Sequence, residues 1–252
     1  MYKTLELPPR EAKPRQRGLT MITDTGTPLA ELDQILDSYH PFLDMAKLGI
    51  GTAYVEPRLD EKIARYDRYG IPVYFGGTLF EKFHSQKRLP DYLDFLRHHA
   101  ITTIEISCGT IALEREAILE LIQELKSEFQ VLVEVGKKEA GPHYPREQWA
   151  ADARDFLAAG CSHVILEGRN TADAGIYTPQ GELDQSLVDT ITAQAAPDRL
   201  IFEAPTQKSQ GQIIRLLGAN VNLGNVFIRD LLFLEAQRRG LREETFFIPC
   251  EP

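Results

Sequence analysis

Residues 102–136 read "TTIEISCGTIALEREAILELIQELKSEFQVLVEVG". The opening "TTIEIS" and the closing "VLVEVG" are rich in β-branched residues, as strands are. Between them, "EREAILELIQELKSEF" repeats its apolar residues three and four apart, the period of a helix with one buried face. Strand, amphipathic helix and strand in immediate succession make a βαβ unit. Such a unit implies parallel strands joined by a right-handed crossover.

The same unit repeats in both directions. Upstream lie the apolar runs "LTMITD" (19–24), "FLDMAKLG" (42–49) and "PVYFGG" (72–77). Downstream lie "HVILEG" (163–168), "RLIFEA" (199–204) and "NVNLGN" (220–225). Helical stretches such as "PLAELDQILDSY" (28–39), "REQWAADARDFLAAG" (146–160) and "VFIRDLLFLEAQRRG" (226–240) separate them. Gly70, Gly160, Gly218 and Gly240 stand where helices end. Eight strands alternating with eight helices predict an α/β fold, a single (βα)8 barrel of the TIM type over residues 1–252. Residues 1–17, with prolines at 8, 9 and 14, read as an extended N-terminal arm. A doubly wound open sheet is the alternative, but no GxGxxG follows the first strand.

Composition removes several functions. The chain of 252 residues carries 37 acidic and 28 basic residues, a net charge of −9, and is 43% hydrophobic. So acidic a surface disfavours nucleic acid or an anionic membrane as partner. Cys108, Cys161 and Cys250 are widely spaced, and no HxH or HExxH is present, which argues against disulfide frameworks and zinc sites built from cysteine or histidine. No segment has the roughly 18 uninterrupted apolar residues of a membrane span. The expectation is a soluble cytoplasmic protein, and barrels of this kind commonly form homo-oligomers.

Barrel enzymes carry their active sites at the C-terminal ends of the strands. There the sequence sets Asp24, Asp44 and Lys47, Gly76 and Gly77, Glu105 and Ser107, Glu134 and Lys137, Glu167 and Arg169, Glu203 and Lys208, and Asn222 and Asn225. Each buried charge needs a partner. Taken singly, these residues have plainer readings: Asp24 could cap the turn before the first helix, and the glutamates could form structural ion pairs. Gly76 and Gly77 could be turn punctuation or backbone that approaches a substrate. Cys108, Cys161 and His163 read as structural. "EAPTQKSQGQ" and "LGNV", after strands seven and eight, suit a phosphate, with Lys208, Ser209 and the amides near Gly224 and Asn225 as donors. Carboxylates at the rim could hold Mg²⁺. Together these features suggest acid–base and metal chemistry on a small phosphorylated acid.

The blocks "KLGIGT" (47–52), "YFGGTLFEK" (74–82), "IEISCGT" (104–110), "EVGKK" (134–138), "LEGR" (166–169), "FEAPTQKSQ" (202–210) and "NVNLGN" (220–225), in this order, resemble the phosphosulfolactate synthases of coenzyme M and sulfolactate biosynthesis. The resemblance covers nearly the whole chain. It implies a Mg²⁺-dependent lyase that adds sulfite to phosphoenolpyruvate through an enolate (aci-carboxylate) intermediate, giving (2R)-O-phospho-3-sulfolactate. On that reading Lys137, flanked by Glu134, protonates the carbon bearing the phosphate, while Lys47, Arg169 and Lys208 neutralise the anions. Asp24, Glu105 and Glu167 are the metal candidates. The alternatives are a related lyase on another phosphorylated acid, an aldolase with Lys137 or Lys47 as Schiff base, and a catalytically silent, stress-related anion-binding barrel.

Overall fold

The structure is a computed structural model described over residues 4–136, 145–169 and 171–250. Eight parallel strands close into a barrel in sequence order: β1 (Thr20–Asp24), β2 (Met45–Leu48), β3 (Val73–Phe75), β4 (Thr103–Ile106), β5 (Gln130–Val135), β6 (His163–Leu166), β7 (Leu200–Glu203) and β8 (Leu223–Phe227). Every strand predicted from the sequence is present, and the alternation that predicted them is the barrel itself. Helices α1 (Leu29–Tyr39) and α2 (Leu59–Arg68) follow β1 and β2. Two helices follow β3: α3 (Gly77–Ser85) and α4 (Leu89–His98). The ring continues with α5 (Arg115–Leu125), α6 (Arg146–Ala159), α7 (Gln185–Thr192), α8 (Gln207–Leu217) and α9 (Leu231–Arg238).

Two differences from the sequence reading matter. The described residues hold nine helices rather than eight, because "GGTLFEKFHS" is not a loop but α3. Helix α3 starts on glycine because the Gly77 N–H donates to Glu105 Oε1 at 2.7 Å, so a barrel carboxylate satisfies one of its unpaired first-turn donors. A Cβ on Gly77 would lie 2.6 Å from that same oxygen. The last strand also sits later than expected, ending at Phe227, and a 3₁₀ turn over Ile228–Asp230 precedes α9.

Alternation explains what fills the barrel. Met45 and Lys47 lie two apart on β2, as do Thr103 and Glu105 on β4 and Leu132 and Glu134 on β5, so each pair shares a face. The lower members pack among buried apolar residues, and the upper members reach the C-terminal mouth. At the opposite end, the floor, the segment from residue 4 to Gly18 has no regular structure and is tied down by its cations. Arg15 pairs with Asp44 at 2.8 Å, Lys13 donates to the carbonyl of Leu43, and Arg10 joins Glu235 at 3.2 Å. No helix among the described residues is long and apolar enough to cross a membrane.

Candidate active site

A cavity of about 260 Å³ opens at the mouth, lined by Thr23, Lys47, Gly49, Ile50, Gly77, Thr78, Glu105, Glu134, Glu167, Arg169, Thr171, Glu203 and Asn225. Its base is a buried charge cluster. Lys47, 8% exposed, sends its ammonium to Glu105 Oε2 at 2.9 Å and to Glu203 Oε1 at 3.8 Å. Glu203 Oε2 accepts from the Gly168 N–H at 3.0 Å, and Glu167 Oε1 accepts from the Arg169 N–H at 2.5 Å. That leaves Glu134 Oε1 and Glu167 Oε2 buried without a hydrogen-bond partner. Leaving such oxygens unmet costs on the order of 1–3 kcal/mol each, so they are candidates for a ligand.

One lysine among four carboxylates cannot balance them. Burial, followed by repulsion from Glu167, Glu203 and Glu105, pushes the Glu134 carboxyl well above the usual carboxylate range. Burial and then Glu167 push Glu203 up to about 8, against the opposing pull of Lys47 and the Gly168 N–H. For Lys47, burial by itself works to lower the value, but Glu105, Glu203 and Glu134 outweigh it and hold the ammonium well above its ordinary value. Lys47 is therefore a fixed cation.

The lip of the cavity is built from unusual backbone. Among the described residues, six non-glycines have positive φ, and three of them, Ile50 (56°), Arg169 (51°) and Asn225 (55°), line this cavity. The left-handed conformation costs an L-residue roughly 1–2 kcal/mol, and such strain gathers where function requires it. Asn225 sits at an irregularity in the β1–β8 pairing, where Thr20 is opposite Leu223 but Ile22 is opposite Val226. The extra residue of such a bulge re-aims a side chain, and here Asn225 Oδ1 accepts from Thr23 Oγ1 at 2.6 Å. The Arg169 guanidinium is half exposed, with Asp173 at 3.8 Å.

The structure thus brings Lys47, Glu105, Glu134, Glu167, Arg169, Gly77 and Asn225 to one cavity. Other expected residues lie elsewhere. Asp24 is fully engaged: it accepts from the N–H groups of Gly26 (2.9 Å) and Thr27 (2.7 Å) and from Tyr66 Oη (3.0 Å), and Lys62 lies 3.5 Å away. It holds the β1–α1 turn and has no oxygen to spare for a metal. Ser209 is consumed by the α8 capping box with Thr206. Lys208 points outward to Glu182 at 2.6 Å. Gly224 is a packing glycine, where a Cβ would meet Ile201 and Met21 at 2.8 Å. Gly76 leaves room for the Lys47 stem, whose Cε would be 2.9 Å from a Cβ there. Lys137 lies outside the described residues.

Two residues escaped the sequence reading as site members. Glu203 is visible in the sequence as a strand-end acid suited to a structural ion pair but is given no role in the site; in the structure it faces Lys47 at 3.8 Å and lines the cavity. Glu81, 1% exposed on α3, accepts from Ser107 Oγ and from the N–H groups of Gly109 and Thr110, both at 2.9 Å. It fixes the loop after β4. Its helix was not foreseen, so neither was its role.

Among the described residues no group of three or more His, Cys, Asp or Glu side chains forms a ready ligand cage. Mg²⁺ does not need one, since it is commonly held by one or two carboxylates, with water and substrate oxygens completing its shell. Hard, unmet oxygens on Glu134 and Glu167 fit that pattern.

The resemblance to known proteins extends over nearly the whole chain. Residues 8–244 match the family described as (2R)-phospho-3-sulfolactate synthase (ComA). The chain is 36% identical over 248 residues to the phosphosulfolactate synthase of Bacillus subtilis (strain 168), covering 97% of this chain and 98% of that one. It is 36% identical to the phosphosulfolactate synthase of Methanothermobacter thermautotrophicus, covering 94% and 95%. Among solved structures, the YdjI aldolase from Escherichia coli K12 superposes with a TM-score of 0.55 at 12% identity, covering 89% and 86%, which reflects the shared fold.

Proposed function

Because the chain belongs to the phosphosulfolactate synthase family, we propose that it catalyses the Mg²⁺-dependent addition of sulfite to phosphoenolpyruvate. The product is (2R)-O-phospho-3-sulfolactate. The sulfur lone pair of sulfite forms a C–S bond to the methylene carbon. The π electrons move toward the carboxylate, and the carbon bearing the phosphate then takes a proton.

The observation that carries this reading is the buried Lys47 facing Glu105 and Glu203, beside unmet oxygens on Glu134 and Glu167. A fixed ammonium in a water-poor cavity stabilises negative charge as it develops, more strongly than the same charge would in water. Glu134 and Glu167 would hold the Mg²⁺. When bound, that ion supplies a second positive charge to stabilise electrons gathering on a carboxylate. Arg169, at the lip with its guanidinium half exposed, receives the sulfite or phosphate oxygens.

A lysine held this firmly protonated is a poor proton donor, so the acid must be another group. Lys137, next after Gly136, where β5 opens onto the mouth, is the residue proposed for that step. The same property of Lys47 opposes a Schiff-base aldolase, which needs a depressed lysine.

The test is ³¹P NMR of phosphoenolpyruvate and sulfite with the protein and Mg²⁺, repeated with excess chelator. A new phosphate ester that requires metal and is lost in Lys137→Ala supports the proposal. No new ester from well-folded protein refutes it.

A further inference from the structure

The lip of the cavity contains one residue that the chemistry above does not use. Among the described lining residues Ile50 is the only large apolar side chain; its neighbours there are charged, hydroxyl-bearing, the Asn225 amide or glycine. It is 59% exposed, so the core does not require it. It is also β-branched and held at φ 56°, where such a residue is a true outlier.

The turn around it is over-determined. The Gly49 N–H donates to Asp24 O at 3.0 Å, and both the N–H and the hydroxyl of Thr52 return to Gly49 O, at 3.1 and 2.8 Å. Glycines flank Ile50 where geometry demands them: a Cβ on Gly49 would stand 2.5 Å from Thr23 Cγ2, and Gly51 has φ 71°. The central left-handed position is where glycine would cost least, yet it carries a branched hydrocarbon projecting at the mouth of an anion site.

We propose that Ile50 is a selectivity residue, an apolar wall that narrows the place of the attacking anion, so that a compact oxyanion of about the size of sulfite or methanesulfonate enters there and one with a bulky substituent such as a ring does not. This rests on the reading of the cavity as the site for the two anionic reactants. The wall works by occupying space and by offering no hydrogen bond, so what it controls is width rather than charge.

The test measures dissociation constants of methanesulfonate and benzenesulfonate by calorimetry, for the wild type, Ile50→Gly and Ile50→Trp. The two probes share charge and head group, so their ratio isolates size. In Ile50→Gly the preference for methanesulfonate is expected to fall about tenfold, and in Ile50→Trp to rise. The glycine variant keeps a Tm at or above that of the wild type, because the strained position is relieved. A ratio unchanged within about twofold in both variants overturns the proposal, as does failure of all three proteins to bind either probe. Turnover of sulfite and phosphoenolpyruvate by the wild type, followed alongside, judges the proposed reaction separately.

Discussion

Floor and mouth of this barrel both bury charge, and they treat it in opposite ways. At the floor, Arg238 is fully buried and donates to the carbonyls of Ala219 and Val221 at 2.7 Å and of Leu19 at 3.1 Å. Asn222 accepts from Leu19 N and donates to Asp198 O and Leu200 O, knitting three strand starts together. Arg10 and Arg15 meet Glu235 and Asp44. At the mouth, four carboxylates share one lysine, two oxygens are unmet, and three lip residues are strained. The floor also leaves Arg238 Nε unmet, but its charges are otherwise matched, in keeping with the usual division of such barrels into a stabilising N-terminal and a functional C-terminal face.

The largest effect should come from opening the floor. Arg238→Met strips donors from three buried carbonyls and is expected to cost about 3–5 kcal/mol, lowering Tm by roughly 10 °C. Activity per folded molecule should be retained, so parallel calorimetry and turnover measurements check both halves. A loss of activity without a loss of Tm would break the contrast.

Lys47→Met asks the converse at the mouth. Turnover should fall by about 10³-fold while the fold persists, since methionine keeps the apolar stem in place and Glu105 still accepts from the Gly77 N–H. Steady-state rates and circular dichroism decide it.

Titration gives the two ends opposite signs. The Glu203 carboxyl, raised to about 8, keeps its proton in the folded state beyond the pH at which the unfolded chain has released it. Its contribution is therefore most favourable below pH 4.5 and is lost as pH climbs toward 8. In chelator, Glu203→Gln should raise Tm by roughly 5 °C at pH 8 and little at pH 5. His163, at the floor-side start of β6, is lowered to about 4 by burial and then by Arg199. Its contribution is complete above pH 6.5 and is lost as pH falls toward 4, so His163→Phe should flatten the Tm profile only on the acid side. Melting curves across pH sharpen the comparison, and a common sign would sink it.

The smallest effect belongs to Lys208. Its partner is exposed Glu182 rather than the cavity, so Lys208→Ala should change turnover less than about threefold and stability by under ~0.5 kcal/mol. A large rise in KM would return Lys208 to the site.

What the sequence made legible follows from periodicity. The strand–helix period locates the C-terminal strand ends, and there Lys47, Glu105 and Glu134 stand together. It could not report what a polar group had already been given. Asp24 reads equally as a turn cap or a metal ligand, and only its bonds to the Gly26 and Thr27 amides decide for the cap; Ser209 reads as a phosphate donor until its capping box is seen. The double glycine at 76 and 77 read as a break because glycine usually is one. Here a carboxylate from β4, 28 residues away, caps the helix that Gly77 opens, a long-range bond with no local signature. The β8 bulge that turns Asn225 into the cavity is likewise a mismatch between two strands from opposite ends of the chain.

The arm across the floor also sets an order of events during synthesis. Arg10 leaves the ribosome 225 positions ahead of its carboxylate partner, Glu235. Asn220 and the Ala219 carbonyl, which it also bonds, arrive nearly as late. Lys13 and Arg15 can meet Leu43 and Asp44 early, but Arg10 lacks its carboxylate until α9 emerges, and β1 waits for β8 to complete its ladder. The nascent chain therefore carries an open sheet edge on β1 until β8 is made, and α9, following directly after, fastens the arm that was made long before it.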